Sequence, residues 1–184
     1  SGDVWHGFVA DIEAGALYGY RVLRGDLDLH ASPTDKLLID PYAKKLSRPI
    51  NWDARQYKHD SQFMIPKCVV VNEQVYSTQS SSPVQVAKHK RIVYEAHVKG
   101  LTKLHPEVPK AHQGKYLGAC HPSVVEHIKQ LGVTTVQFMP LCAFMPEPFI
   151  TEKGLTNYWG YNPINFFAPE PRYANEDALA EIKT

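Results

Sequence analysis

The sequence predicts a mixed fold, in which a β-rich first part precedes an α/β second part. Short aromatic strands with alternating polarity near the start, at 4–9 and 17–23, indicate the β part. A strand, a helix and another strand follow one another after residue 90, the order that forms parallel sheets with right-handed crossovers. Residues 79–83 have the composition of a linker. We therefore predict two domains, 1–85 and 86–184.

The β-rich part contains three predicted strands. The strands at 4–9 and 17–23 are separated by a glycine-containing break, which predicts an antiparallel hairpin. The β-branched run at 67–71 predicts a third strand. Four aromatic residues are candidates either for the core of the hairpin, the preferred interpretation, or for a carbohydrate-stacking patch: Trp5, Tyr18, Tyr20 and Trp52.

The α/β part begins with a strand at 91–98 that we expect to be buried. Pro122 suits the first turn of a helix, and Gly132 suits its end. A second strand follows at 133–140, and a last helix begins at 175–177. Two parallel strands alone would leave long unpaired edges. We therefore interpret the chain as a fragment of a larger protein.

Composition excludes several classes of function. The formal net charge is +1 and the pI is about 7.7, whereas nucleic-acid-binding domains usually have a basic patch or a pI above ~9. No apolar run approaches the ~20 residues that span a bilayer, and no signal peptide opens the sequence. We therefore expect neither a nucleic-acid nor a membrane partner.

Three cysteines, Cys68, Cys120 and Cys142, are too few and too widely spaced for a disulfide scaffold or a zinc site. They predict free thiols in a reducing, cytoplasmic compartment, each packed as a small buried residue. The nine histidines have no metal-ligand spacing, and the chain has no nucleotide-binding motif. No metal and no cofactor is expected.

The loop at 157–163 is the first candidate site, because it has three aromatic residues within four positions, interrupted by a glycine. Ligand sites in α/β folds lie at the carboxyl ends of the strands, where this loop begins. Aromatic faces can stack on the apolar face of a pyranose. The residues alone leave sugar binding and core packing equally open. Phe166 and Phe167, just beyond, are expected to be core.

Glu95 and His97 form the second candidate, because residues two apart on a strand share a face. They could be an acid/base pair or a buried, hydrogen-bonded structural pair. We prefer the structural interpretation.

Several segments of the chain, taken together, resemble a known family. They resemble, in the same order, glycogen debranching enzymes of the isoamylase type in the α-amylase superfamily (glycoside hydrolase family 13): 3–8, 18–22, 36–43, 93–102, 157–162 and 166–174. The resemblance implies the last part of a carbohydrate-binding-module-like (CBM48-like) β-sandwich, followed by the first units of a truncated (β/α)8 TIM barrel. It also implies cleavage of α-1,6 branch linkages in glycogen, amylopectin or limit dextrins, by a retaining two-carboxylate mechanism.

The resemblance also assigns site residues. The family's catalytic acids follow barrel strands four, five and seven, so no catalytic residue is expected in this chain, which alone would be inactive. The tyrosine of the Gly-Tyr pair after strand two stacks under the sugar that is cleaved, which corresponds to Tyr161. Trp159 and Tyr158 flank it, and the three form the predicted α-glucan-binding set. Two alternatives stay open: a non-catalytic glucan-binding module, and the opening segment of a branching or trehalose-releasing enzyme.

Overall fold

The computed structural model of the chain describes residues 6–22, 36–51, 60–75 and 84–184. Within these ranges there are four strands: β1 (Leu17–Tyr18), β2 (Cys68–Val69), β3 (Val93–Ala96) and β4 (Thr135–Phe138). They also contain five α-helices: α1 (Val98–Thr102), α2 (Tyr116–Ala119), α3 (Pro122–Gln130), α4 (Pro148–Thr151) and α5 (Ala178–Glu181). Short 3-10 helices lie at Ser61–Phe63, Lys88–Lys90 and Pro171–Tyr173. The prediction of a mixed fold with both strands and helices is confirmed.

The strands of the first part pair differently from the predicted hairpin. β1 is antiparallel to β2, with Leu17 opposite Val69 and Tyr18 opposite Cys68. Residues 6–9 form no strand, so the hairpin between 4–9 and 17–23 is wrong in its described part. The long-range partner was the predicted strand at 67–71, which is confirmed in shortened form. Trp5, Trp52 and the linker at 79–83 lie outside the described residues.

The second part contains the predicted strand–helix–strand unit. β3 is parallel to β4, from Val93 opposite Thr135 to Ala96 opposite Phe138. α3 connects them and starts with Pro122 in its first turn. Gly132 follows the helix with a φ of +76°, a conformation that favours glycine at helix ends. The last predicted helix is confirmed as α5, and the side chain of Asp177 caps its first amides.

Burial of the parallel strands differs from expectation. Val93, Tyr94 and Glu95 are exposed, and only Ala96 of β3 is buried. The expected buried strand is therefore wrong, because no described element covers this face. The sequence also missed α1 and α2. α1 contains a glycine and is capped by a histidine rather than by the usual serine, threonine, aspartate or asparagine.

One of the two hydrophobic clusters among the described residues contains side chains of both parts. Ala43, Leu46 and Cys68 of the first part pack in one cluster with Ala143 and Ala168 of the second. Burial of these side chains favours a single docked arrangement of the two parts over independent units.

Polar contacts reinforce this junction. The Asn165 side-chain amide donates to the Asp40 carbonyl at 3.0 Å, and Lys45 forms an ion pair with Asp177 at 2.7 Å.

The cysteines follow the expectation only in part. All three are free; Cys68 is buried, Cys142 is half-buried and Cys120 is exposed. The prediction of burial is wrong for Cys120, because this residue lies at the exposed end of α2. None of the described helices is long and apolar enough to cross a bilayer.

A buried carboxylate ties together the loops that follow β4. Glu170 is only 1% exposed. Its oxygens accept hydrogen bonds from the Arg172 side chain at 2.7 and 3.1 Å, from the Arg172 amide at 2.9 Å and from the Phe144 amide at 3.2 Å. Arg172 also donates to the Phe144 carbonyl at 3.0 Å, and its guanidinium lies 4.2 Å from the centre of the Phe144 ring. An ion pair, several hydrogen bonds and a cation–π contact therefore join Glu170, Arg172 and Phe144.

We predict that Arg172→Met lowers the free energy of unfolding by about 3 kcal/mol, because it leaves the Glu170 carboxylate buried without its cation. Urea unfolding followed by circular dichroism measures the change. The control is Lys44→Met, which removes the exposed ion pair between Lys44 and Glu73 and should cost less than about 1 kcal/mol. Equal losses in the two variants would show that the buried pair has no special role.

Candidate functional site

The aromatic loop after β4 is held in a tight turn by Asn157. The Asn157 side-chain oxygen accepts a hydrogen bond from the Gly160 amide at 2.8 Å, and its nitrogen donates to both Glu147 oxygens at 3.0 Å. Gly160 has a φ of +83°, and an added Cβ would lie 3.2 Å from the Phe144 ring. This position therefore requires glycine for both its conformation and its space.

His97 packs against the aromatic loop at Tyr158. The His97 ring stacks on the Tyr158 ring, with centroids 4.1 Å apart and planes 11° apart. Its Nε2 lies 2.6 Å from the Tyr158 carbonyl oxygen, and its Nδ1 accepts from the amides of Lys99 at 3.0 Å and Gly100 at 3.2 Å. The two amides require an unprotonated Nδ1, so the ring is neutral, with its proton on Nε2 donated to Tyr158. One imidazole thus caps α1 and fixes the loop.

Close packing adds to this support. An added Cβ at Gly100 would lie 2.5 Å from the Tyr158 hydroxyl, so glycine in α1 makes room for the loop. The Tyr173 ring meets the His97 ring edge-on at 5.6 Å, and its hydroxyl lies 3.2 Å from Nε2. The loop therefore rests on a wall of aromatic rings.

The three predicted glucan-binding residues are brought together with different roles. Tyr158 is 46% exposed, and one face of its ring is covered by His97. Trp159 and Tyr161 are 64% and 60% exposed, with ring centroids 6.4 Å apart and planes 71° apart. Two nearly perpendicular exposed rings form a corner that offers one flat face and one edge to a ligand. Trp159 and Tyr161 therefore lie on the surface and are not part of the core.

Two buried tyrosines, Tyr116 and Tyr173, lie near the loop. The Tyr116 hydroxyl donates to the carbonyls of Leu141 at 3.0 Å and Glu170 at 3.2 Å. Burial, together with the nearby charge of Glu170, raises the pKa of Tyr173 to about 12 and also raises that of Tyr116. Both phenols are therefore protonated at neutral pH and serve structure rather than proton transfer.

Glu95 and His97 are not brought together. His97 follows β3 as the residue before α1 and is buried, whereas the Glu95 side chain on the strand is exposed. No hydrogen bond or ion pair joins them among the described residues. The buried, hydrogen-bonded pair is therefore wrong, because only His97 is buried and the strand ends before it. In the described ranges no three His, Cys, Asp or Glu side chains converge as a metal site.

Phe166 and Phe167 correct another expectation. Both are exposed rather than core, and Phe167 stacks on Tyr42 at 5.8 Å. The Asn165 side-chain oxygen accepts from the amides of Phe167 at 2.7 Å and Ala168 at 2.6 Å. This turn brings Ala168, rather than the phenylalanines, into the core.

The first part has a smaller aromatic group. Tyr18 and Tyr20 meet edge-on at 6.0 Å, and the Tyr18 hydroxyl donates to Asp40 at 2.7 Å. Burial, with Asp40 beside it, raises the pKa of Tyr18. Tyr18 is half-buried and Tyr20 exposed. The other two members of the predicted group, Trp5 and Trp52, lie outside the described residues, so core and binding patch both stay open.

Comparison with known proteins gives these features a context. The chain is 40% identical over 185 residues to a glycogen debranching enzyme of Yersinia pseudotuberculosis. The alignment covers 95% of this chain and 28% of that protein. The chain is homologous to glycogen debranching enzymes. A second such enzyme, from Escherichia fergusonii, is 40% identical over 195 residues, with 100% of this chain and 29% of that protein covered. The chain thus spans less than a third of these relatives, and the recognised resemblance is confirmed. No protein-family profile matches the chain.

Solved structures agree with the sequence relatives. A pullulanase from Anoxybacillus sp. LM18-11, complexed with maltotetraose, is similar with a TM-score of 0.56 and 27% identity, covering 80% of this chain and 21% of that one. The catalytic module of SpuA, a glycogen-degrading pneumococcal virulence factor, has a TM-score of 0.63 over 91% of this chain and 25% of that one. At 22% identity, this second similarity shows the fold alone.

We predict that His97→Ala speeds hydrogen exchange at the Lys99, Gly100 and Gly160 amides. Loss of a helix cap costs about 1 kcal/mol, which corresponds to roughly fivefold faster exchange in α1. Gly160 should follow because its turn loses the stacking platform. The measurement is hydrogen–deuterium exchange by mass spectrometry or NMR. The matched control is His127→Ala on the exposed face of α3; unchanged exchange in the His97 variant would contradict the positioning role.

Proposed function

We propose that this chain is a fragment of a hydrolase that cleaves α-1,6 branch linkages in glycogen or limit dextrins. We also propose that Tyr158, Trp159 and Tyr161 bind the α-glucan. The single observation that carries the proposal is the exposed corner of Trp159 and Tyr161, held on a turn that His97 and Asn157 fix. The names of the homologues, and the maltotetraose bound by the similar pullulanase, support it.

The corner suits a sugar for a physical reason. The C–H groups on one face of a glucose ring form an apolar plate, while its hydroxyls project sideways. A tyrosine or tryptophan face can cover that plate, and a second ring at 71° can border the edge of the same sugar. Because Trp159 and Tyr161 already lie in this arrangement, little side-chain entropy would be lost on binding. Tyr158 has one face on His97, so it acts mainly as the base of the corner.

We propose that residues 1–85 are part of a CBM48-like β-sandwich and that 86–184 begin a (β/α)8 barrel. Antiparallel pairing of β1 with β2 suits a sandwich, and parallel pairing of β3 with β4 suits the first two strands of a barrel. The aromatic loop follows β4, at the end of a barrel where substrates bind. The free cysteines fit the cytoplasmic location expected from the sequence.

The proposed reaction uses two carboxylic acids. One forms a glycosyl-enzyme intermediate, and the other protonates the leaving oxygen and then activates water. By the family resemblance, these groups follow later barrel strands than the two present here. The part of the molecule in this chain would bind and orient the glucan, and would not transfer protons or bonds.

The alternatives from the sequence can be distinguished experimentally. A non-catalytic glucan-binding module would bind glucan, yet the natural protein that contains this chain would cleave nothing. A branching enzyme would transfer glucan chains, and a trehalose-releasing enzyme would liberate trehalose. The names of the relatives favour debranching over all three.

We predict that Tyr161→Ala weakens maltotetraose binding by at least tenfold, because truncating a central aromatic anchor typically costs about 2 kcal/mol or more, and each ~1.4 kcal/mol is tenfold in affinity. Isothermal titration calorimetry on the chain measures the affinity. Tyr161→Phe should bind nearly normally, because the stacking face is kept. The control is Phe63→Ala, because Phe63 is also an exposed aromatic residue and is far from the loop in sequence. Wild-type affinity in Tyr161→Ala would overturn the assignment of Tyr161.

A further inference from the structure

A cavity of about 260 Å³ lies beside the aromatic loop and is unusually basic. Thr156, Asn157 and Tyr158 of the loop form one side of it. The other walls carry four cations, which come from three separate segments: Lys99, Lys103, Lys115 and Arg172. None of the described residues that line the cavity is acidic.

Two of these cations are already engaged. Lys115 donates to the carbonyls of Arg172 at 3.1 Å and Ala174 at 2.6 Å. Arg172 is paired with the buried Glu170 carboxylate. These two residues are therefore fixed in place by the fold, with part of their positive charge facing the cavity.

Lys99 and Lys103 are different. Lys99 lies on α1 and Lys103 is the residue that caps its carboxyl end, one turn away, a spacing at which like charges repel. Among the described residues neither has a carboxylate within ion-pair distance.

The backbone holds these two side chains close together. An added Cβ at Gly114 would lie 3.2 Å from Lys99 Cγ and 3.3 Å from Lys103 Cδ, so both aliphatic stems run over this glycine. Gly114 has a φ of +74°, which favours glycine there independently. Two lysines that have no carboxylate partner among the described residues thus line the same cavity.

From this arrangement we infer that the cavity binds a phosphate monoester. A dianion would offset the repulsion between the two lysines, and the Thr156 hydroxyl could donate a further hydrogen bond to it. The volume is below that of a drug-sized pocket and suits one phosphate with an adjoining sugar. The phosphate could belong to a phosphorylated glucan, because Tyr158 lines the cavity and is also one of the proposed glucan-binding residues. This part of the inference rests on the proposed function.

Affinity measurements on the chain test the inference. The probes are glucose 6-phosphate, inorganic phosphate, neutral maltotetraose and maltotetraose phosphorylated at a 6-hydroxyl. We expect Lys99→Gln with Lys103→Gln to weaken glucose 6-phosphate binding at least tenfold and to leave neutral maltotetraose unchanged. Lys99→Arg with Lys103→Arg should restore binding, and Lys110→Gln with Lys129→Gln, at exposed sites outside the cavity, should have no effect.

Two results support the inference and distinguish the sources of the phosphate. If the phosphate belongs to the glucan, phosphorylated maltotetraose binds more tightly than either of its parts, and Tyr161→Ala weakens it too. If it belongs to a free sugar phosphate, glucose 6-phosphate binds as tightly as the phosphorylated oligosaccharide, and Tyr161→Ala has no effect on it.

No binding of any phosphate probe, or binding that ignores the lysine changes, would overturn the inference. Binding of neutral maltotetraose in that case would leave the proposed function intact. Conversely, phosphate binding with no maltotetraose binding would remove the proposed function and keep the anion site.

Discussion

The imidazole of His97 is the contact on which the site depends. It joins three segments that are far apart in sequence: the end of β3 with the start of α1, the aromatic loop and the 3-10 helix that contains Tyr173. The geometry allows one tautomer, since Nδ1 receives two backbone amides and Nε2 faces a carbonyl. A single neutral ring therefore orients the loop, and the orientation of the loop in turn sets the positions of the exposed Trp159 and Tyr161 rings.

The rest of the fold makes this contact possible. The carboxylate of Glu170 and the guanidinium of Arg172 bind the loops that carry Phe144 and Tyr173. The Phe144 ring in turn would lie only 3.2 Å from a Cβ added at Gly160. Glu170 is buried and Arg172 is half-buried; such a pair stabilises little by itself, but removing the cation leaves a buried charge and is costly. The pair therefore holds the loops of Phe144 and Tyr173 together. The shared core between the first and second parts supports the same loops from the other side.

Local patterns predicted the parallel strand pair, α3 and the aromatic loop well, because periodicity and turn residues act over short distances. Contacts between distant residues could not be predicted in this way. β1 pairs with a strand some fifty residues away instead of its neighbour, and His97 meets Tyr158 across 61 positions with no local signal. Phe167 was predicted as core from its apolarity, whereas the Asn165 turn decides its exposure. The identities of the proposed glucan-binding residues came from family resemblance, and Lys99 and Lys103 were not singled out.

The central claim is that this chain supplies the glucan contact of a branch-cleaving enzyme, and activity tests it most directly. The measurement is the release of reducing ends from an α-1,6-branched limit dextrin by the natural protein that contains this chain, as wild type and as Tyr161→Ala. The account predicts cleavage by the wild type and a kcat/KM at least tenfold lower in the variant. Equal kcat/KM values, or no cleavage of the branch linkage by the wild-type protein, would contradict it.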